Sequence, residues 1–202
     1  MNINKIQNNK QRSSDGERFM KLAKLDENVF HIGDLANLWN IYNKNTLHTT
    51  LSRYLKRKLL FRIFKGLYSL KKVSELDPFF LGFKALHQPA YISCESVLYE
   101  YGIINQRPHT ITLVSAVSTT FSIGEYQYKS RQMQDEYLFN NIGIEIINNT
   151  YKATLSRAVA DMLYFNPEKY FDAGSSKIIN WREVKKIVKA VGYKINFPKN
   201  IK

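Results

Sequence analysis

Cysteine is nearly absent: Cys94 is the one thiol in 202 residues. The chain can therefore form neither an internal disulfide nor a thiolate zinc site, and a cytoplasmic location is expected. No N-terminal apolar run of signal-peptide type occurs, and no stretch of about eighteen apolar residues, so neither secretion nor a membrane partner is expected. The four histidines (His31, His48, His87, His109) are scattered, without the close pairing of a metal site. No Gly-rich phosphate loop and no Gly-x-Ser-x-Gly elbow is found, and no cofactor is expected. A metal-dependent nuclease needs clustered carboxylates with a nearby lysine on adjacent strands. The candidate strands offer Glu125 and Glu145, neither in an acid-x-Lys pattern, so the chain is expected not to be an enzyme.

The most informative absence is of acid. Between Ile41 and Lys72 there is no Asp or Glu, while nine basic residues occur: Lys44, Arg53, Lys56, Arg57, Lys58, Arg62, Lys65, Lys71 and Lys72. A formal charge of +13 could reflect general composition; its segregation is the stronger signal, because acids such as Glu95, Glu100, Asp135 and Glu136 are interspersed elsewhere. A cationic stripe of this kind is the footprint of a phosphate-backbone binder, since each neutralised phosphate releases a condensed counterion. With 44% apolar and 13% aromatic residues the chain can bury a real core, as one large domain or two small ones. Residues 1–15 are polar and are expected to be a mobile tail.

Helical periodicity predicts a first helix from about Gly16 to Leu25, with Phe19, Leu22 and Ala23 on one face and Asp15 as candidate N-cap. A second helix is expected over Gly33 to Asn40, breaking at Ile41-Tyr42-Asn43. A third is expected from Lys44 to Lys58, with Asn43 or Asn45 as its cap. There Leu47, Leu51, Tyr54 and Leu55 form one apolar stripe. The other side carries hydroxyls and amides toward the N-terminus and cations toward the C-terminus. Two helices joined by a short turn are the helix-turn-helix pattern, whose second helix presents side chains to the major groove. Directly behind it, Leu59 to Phe64 and Leu67 to Leu70 flank Lys65-Gly66 as a hairpin. In that position a hairpin is a wing, with Arg62 and Lys65 near phosphates. The candidate DNA-binding residues are Asn43, Lys44, Asn45, Thr46, His48, Thr49, Thr50, Ser52, Arg53, Lys56, Arg57, Arg62 and Lys65. A solvated polar face on an ordinary helix is the competing interpretation of the third helix alone.

Asp77-Pro78 opens a new element, so a boundary is placed near Val73 to Leu76. Beyond it a helix is expected over Ser93 to Tyr101, closed by Gly102, and a strand over His109 to Ser118. A hairpin from Phe121 to Met133 turning at Gly124-Glu125 and a strand over Ile144 to Ile147 follow. Two late helices close the pattern: Thr154 to Phe165, and Trp181 to Val191. The second opens with Asn180 and Glu183 in capping-box spacing and carries Arg182, Lys185, Lys186 and Lys189 outward. The predicted fold class is α+β: a tail over 1–15, a winged helix-turn-helix over 16–75, and a mixed α/β domain over 76–202.

These residues resemble the AbiEi-type antitoxins, the regulator halves of type IV toxin-antitoxin systems of phage abortive infection. The likeness is most specific from Thr46 to Arg57 and on into Arg62 and the Lys65-Gly66-Leu67-Tyr68 run. Supporting stretches are Tyr91 to Leu98 with Tyr101-Gly102, His109 to Val114, and Ala153 to Pro167. Where family members carry Ala-x-Pro-Glu-Lys-Ala, this chain has Ala153-Thr154-Leu155-Ser156-Arg157-Ala158. The resemblance implies a repressor that binds double-stranded DNA at an operator inverted repeat through its winged helix. It further implies an antitoxin-type C-terminal domain that counters a nucleotidyltransferase toxin. A solitary winged-helix regulator, or an interaction module without a toxin partner, would look alike.

Overall fold

The computed structural model describes residues 14–195 and 197. The mobile tail expected over 1–15 falls, up to residue 13, outside the described residues. The protein is of mixed α+β architecture. Asp15 already belongs to the first helix, α1 (Asp15–Ala23), and Ser14 is its cap. Its N-cap is Ser14 rather than Asp15: the Ser14 hydroxyl accepts from the Glu17 N–H at 3.2 Å and the Glu17 carboxylate accepts from the Ser14 N–H at 2.9 Å. This reciprocal box satisfies two orphan donors and leaves the Asp15 carboxylate free for other partners.

A short strand that the sequence did not predict, β1 (Val29–His31), precedes α2 (Ile32–Trp39). Asn40, left-handed at φ 53°, ends α2 and turns the chain through buried Ile41 into α3 (Lys44–Lys56). Of the two candidate caps Asn43 is the one used, its side-chain oxygen accepting from the Thr46 N–H at 3.0 Å. The hairpin follows as β2 (Phe61–Phe64) and β3 (Leu67–Ser69), with Gly66 at φ 74° where a side chain would be strained. The three strands form an antiparallel sheet of order β1-β3-β2.

Alternation divides that sheet between two neighbours. Phe30 and Tyr68 project into a cluster with Leu22, Leu35, Trp39, Leu47, Leu51 and Tyr54 from the three helices. Val29 and Leu67 project the other way, into the larger core of the rest of the chain. The expected boundary lies on a 3-10 turn, Val73–Glu75, but packing crosses it: Phe64 meets Phe121 with ring centroids 5.5 Å apart. The His31 ring stacks on His87 at 3.8 Å.

Beyond the turn come α4 (Pro78–Leu86), β4 (Ala90–Ile92), α5 (Glu95–Glu100), β5 (Ile111–Ser115), β6 (Thr119–Ile123) and β7 (Tyr126–Gln132). They are followed by α6 (Asp135–Leu138), β8 (Ile144–Ile147), β9 (Thr150–Ala153), α7 (Leu155–Phe165), α8 (Ala173–Ile178) and α9 (Trp181–Val191). The strands build one six-stranded mixed sheet, β6-β7-β5-β4-β9-β8. Helix α4 lies on the face of Leu113 and Tyr128, so closely that a Cβ on Gly82 would stand 2.5 Å from the Tyr128 ring. The opposite face, that of Tyr91 and Val114, is covered by α5 and α7, with α9 packed against α7. The capping box expected at Asn180 is half formed: Asn180 accepts from the Glu183 N–H, while the Glu183 carboxylate takes a hydrogen bond from Ser156 at 2.9 Å. No helix among the described residues is long and apolar enough to cross a membrane.

Candidate nucleic-acid interface

Helix α3 is fixed by its buried stripe. Leu47, Thr50, Leu51 and Tyr54 turn inward, and successive residues advance by about 100°. The strip opposite therefore comprises Asn45, Thr49, Ser52 and Lys56, all exposed. Thr46, Arg53 and Arg57 flank it on one side and His48 on the other, also exposed. Lys44 and the cap residue Asn43 are exposed at the N-terminal end. Thr50 is a correction: the expected binding residue is 1% exposed, its hydroxyl donating to the Thr46 carbonyl at 2.9 Å. Three residues after Leu47 and four before Tyr54, it had to follow the core phase whatever its polarity. The Thr49 hydroxyl likewise donates to its own helix, to the Asn45 carbonyl at 2.8 Å, leaving its lone pairs and methyl group outward.

Helix α1 braces the flank that carries the arginines. The Tyr54 hydroxyl donates to the Asp15 carbonyl at 2.7 Å and the Trp39 indole N–H to the Arg18 carbonyl at 3.2 Å. Burial pushes the Tyr54 phenol up, and the nearby Asp15 charge adds to it. The Asp15 carboxylate meets Arg53 at 3.1 Å, Arg18 at 3.5 Å and Arg57 at 3.6 Å. The guanidinium side chains of Arg53 and Arg57 nevertheless keep 49% and 61% exposure.

The hairpin cations are exposed as well. Arg62 stands opposite Tyr68 in the β2–β3 register, and directly opposed residues share a face. Tyr68 points among the three helices, so Arg62 emerges on the α3 side of the sheet. The turn beside Lys65 does not swing freely, because the Ile32 N–H donates to the Gly66 carbonyl at 2.8 Å.

No protein-family model matches the sequence, and no curated protein matches it. Among solved structures the chain is similar to the RV2827C protein from Mycobacterium tuberculosis, with a TM-score of 0.52 and 10% identity, covering 88% of this chain and 72% of that chain. The likeness is one of fold alone.

Periodicity and spacing did not point to a second constellation, inside the six-stranded unit. Arg157 and Asp161, both wholly buried, pair at 2.8 Å along α7. The other Arg157 N–H groups donate to the carbonyls of Asn140 and Ile142 at 2.9 Å, to that of Tyr137 at 3.2 Å, and to the Tyr91 hydroxyl at 3.1 Å. Asp161 also accepts from Ser93 at 2.7 Å and Tyr193 at 2.5 Å. Desolvation is the largest influence and works against the Arg157 charge, but Asp161 together with Tyr91 and Tyr193 outweighs it and holds the guanidinium above its ordinary range. Every donor is satisfied and nothing reaches solvent, so this is an internal brace.

Cys94 sits where β4 passes into α5, at φ 53° and ψ −131°, a strand-to-helix elbow. The thiol there is fully buried and is pushed well up, first by burial and then by the Asp161 charge. A reactive cysteine needs the opposite on both counts. Among the described residues no group of three or more His, Cys, Asp or Glu is arranged to hold a metal ion.

Proposed function

We propose that the protein binds double-stranded DNA through a winged helix-turn-helix made by α2, α3 and the β2–β3 hairpin. The observation that carries this reading is the outward strip of α3. It is exposed along its length, amide and hydroxyl at the N-terminal end and cationic at the C-terminal end, in a segment without a carboxylate. Asn45 and Thr49 contact base edges, with Arg53 at the edge of the strip, while Lys56, Arg57, Arg62 and Lys65 neutralise phosphates. Arg62 adds to it by emerging on the α3 side of its sheet.

Titrating duplex DNA at increasing salt tests the reading. The logarithm of affinity should fall linearly with the logarithm of salt, and Lys56→Ala should reduce the slope by about one. Affinity that ignores salt would refute it.

The role of antitoxin rests on the resemblance over Thr46 to Tyr68, Tyr91 to Leu98 and Ala153 to Pro167. In that role the DNA-binding unit represses the protein's own operon and the six-stranded unit counters a nucleotidyltransferase toxin. Co-expression with a nucleotidyltransferase encoded beside it, scored by growth, tests that part separately. Toxicity unrelieved by this chain leaves a regulator without a toxin.

A further inference from the structure

We propose that Asp15 is a specificity-determining positioning residue of the α3 surface: its carboxylate presets the guanidinium groups of Arg53 and Arg57 for a planar acceptor, the edge of a guanine. The inference rests on the DNA-binding reading above. An acid facing a phosphate-seeking surface opposes attraction, and capping of α1 does not call for it, since Ser14 and Glu17 already close the first turn of that helix. What the carboxylate does touch is three arginines, at 3.1 Å, 3.5 Å and 3.6 Å.

Asp15 is itself firmly placed. Its carbonyl accepts from Tyr54, which is 1% exposed in the last turn of α3, so the backbone carrying the carboxylate is tied to the helix that carries the arginines. Arg53, in the last turn of α3, and Arg57, its C-cap, are four residues apart, a spacing at which like charges repel. One carboxylate between them relieves the repulsion. The Arg53 contact uses Nη2, and a guanidinium has five donors in a fixed fork. The remaining donors belong to a side chain that is half exposed and already ordered. A bidentate acceptor such as guanine O6 and N7 then meets a fork that need not be organised on binding.

Two effects of removing the Asp15 charge have opposite signs, which makes the proposal testable. By bulk electrostatics, Asp15→Asn adds one net positive charge and tightens binding to any duplex. By positioning, it loosens Arg53 and costs discrimination between sequences. Exposed ion pairs contribute little to stability, and Asn preserves the shape of Asp, so the variant should fold.

The probe is a pool of duplexes with a randomised core, from which the full-length chain enriches its preferred sequences. Affinities are then measured for an enriched duplex and for the unselected pool. The expected result for Asp15→Asn is equal or tighter binding to the pool with the ratio of enriched to pool affinity reduced by roughly tenfold, the scale of one lost base contact. Arg53→Lys, which keeps the charge but not the fork, should lose discrimination to a similar extent. The double variant should lose little more than either single one, because the two residues act as a unit. An unchanged ratio in Asp15→Asn, or losses that simply add in the double variant, overturns the positioning role while leaving the DNA reading intact. If the unaltered chain binds no duplex, or binds all duplexes equally, the failure lies in the underlying reading and the role of Asp15 falls with it.

Discussion

Replacing Arg157 by Met removes a buried cation whose environment was built for it. The substitution keeps a long apolar stem in place, so cavity formation is small and the effect reports electrostatics and hydrogen bonding. Asp161, wholly buried, loses the counter-charge at 2.8 Å and keeps only the Ser93 and Tyr193 hydroxyls. The carbonyls of Tyr137, Asn140 and Ile142 lose their guanidinium donors. Breaking a buried pair from one side typically costs about 3–5 kcal/mol, a large share of the ~5–15 kcal/mol that holds a domain together. In urea unfolding followed by circular dichroism, that loss moves the midpoint down by roughly 1–3 M. The double variant Arg157→Met with Asp161→Leu removes the stranded charge and should recover much of the loss. If Arg157→Met costs less than about 1 kcal/mol, or the double variant is no better than the single one, the brace is not what the geometry indicates.

Three further outcomes follow from local geometry. Gly82→Ala should destabilise by about 1–3 kcal/mol despite alanine's better helix propensity, because the new Cβ would stand 2.5 Å from the Tyr128 ring; a stabilised variant in thermal unfolding contradicts this. Asn43→Ala should cost about 1 kcal/mol through loss of the α3 cap, and Asn45→Ala less than ~0.5 kcal/mol; equal costs would mean that Asn43 is not the working cap. The His31 imidazole is held below its ordinary value by burial and by His87, against a smaller opposing pull from Asp34. Its neutral form is therefore the one favoured by folding, so its contribution is fully present above about pH 6.5 and declines as pH falls below that value. His31→Asn, which can still cap α2, should flatten the thermal midpoint between about pH 5.5 and 7; an unchanged slope contradicts the assignment.

How far the sequence could be read depended on whether a signal was local. The stripe of Leu47, Leu51 and Tyr54 fixed α3 to within two residues of its end, and Lys65-Gly66 located the hairpin, because periodicity and turn chemistry act over a few residues. Thr50 shows residue type competing with phase: its position in the turn puts it inside, and hydrogen bonding to its own helix makes that tolerable. The Ser-x-x-Glu spacing at Ser14 carried the signal of a capping box, but the cap expected at Asp15 lies one residue too late. The three-residue strands β1 and β4 carry too few residues for alternation to register, and they exist through partners distant in sequence, β3 for one and β5 and β9 for the other. Arg157 has the chemistry of a surface residue. Only the convergence of residues 137–142 on α7 explains its burial, and nothing local announces that.

The claim on which the account turns is that the outward strip of α3 is the surface that meets duplex DNA. Thiol protection tests it directly, because Cys94 is fully buried and its thiol is pushed well up, which keeps it from reacting. A cysteine placed at Thr49 should react readily with a thiol reagent in the free protein and be shielded when an enriched duplex is added at saturating concentration. A cysteine at Ile146, exposed on the far sheet edge, should react equally with and without DNA. Saturating DNA that leaves the Thr49→Cys thiol fully reactive would contradict the account.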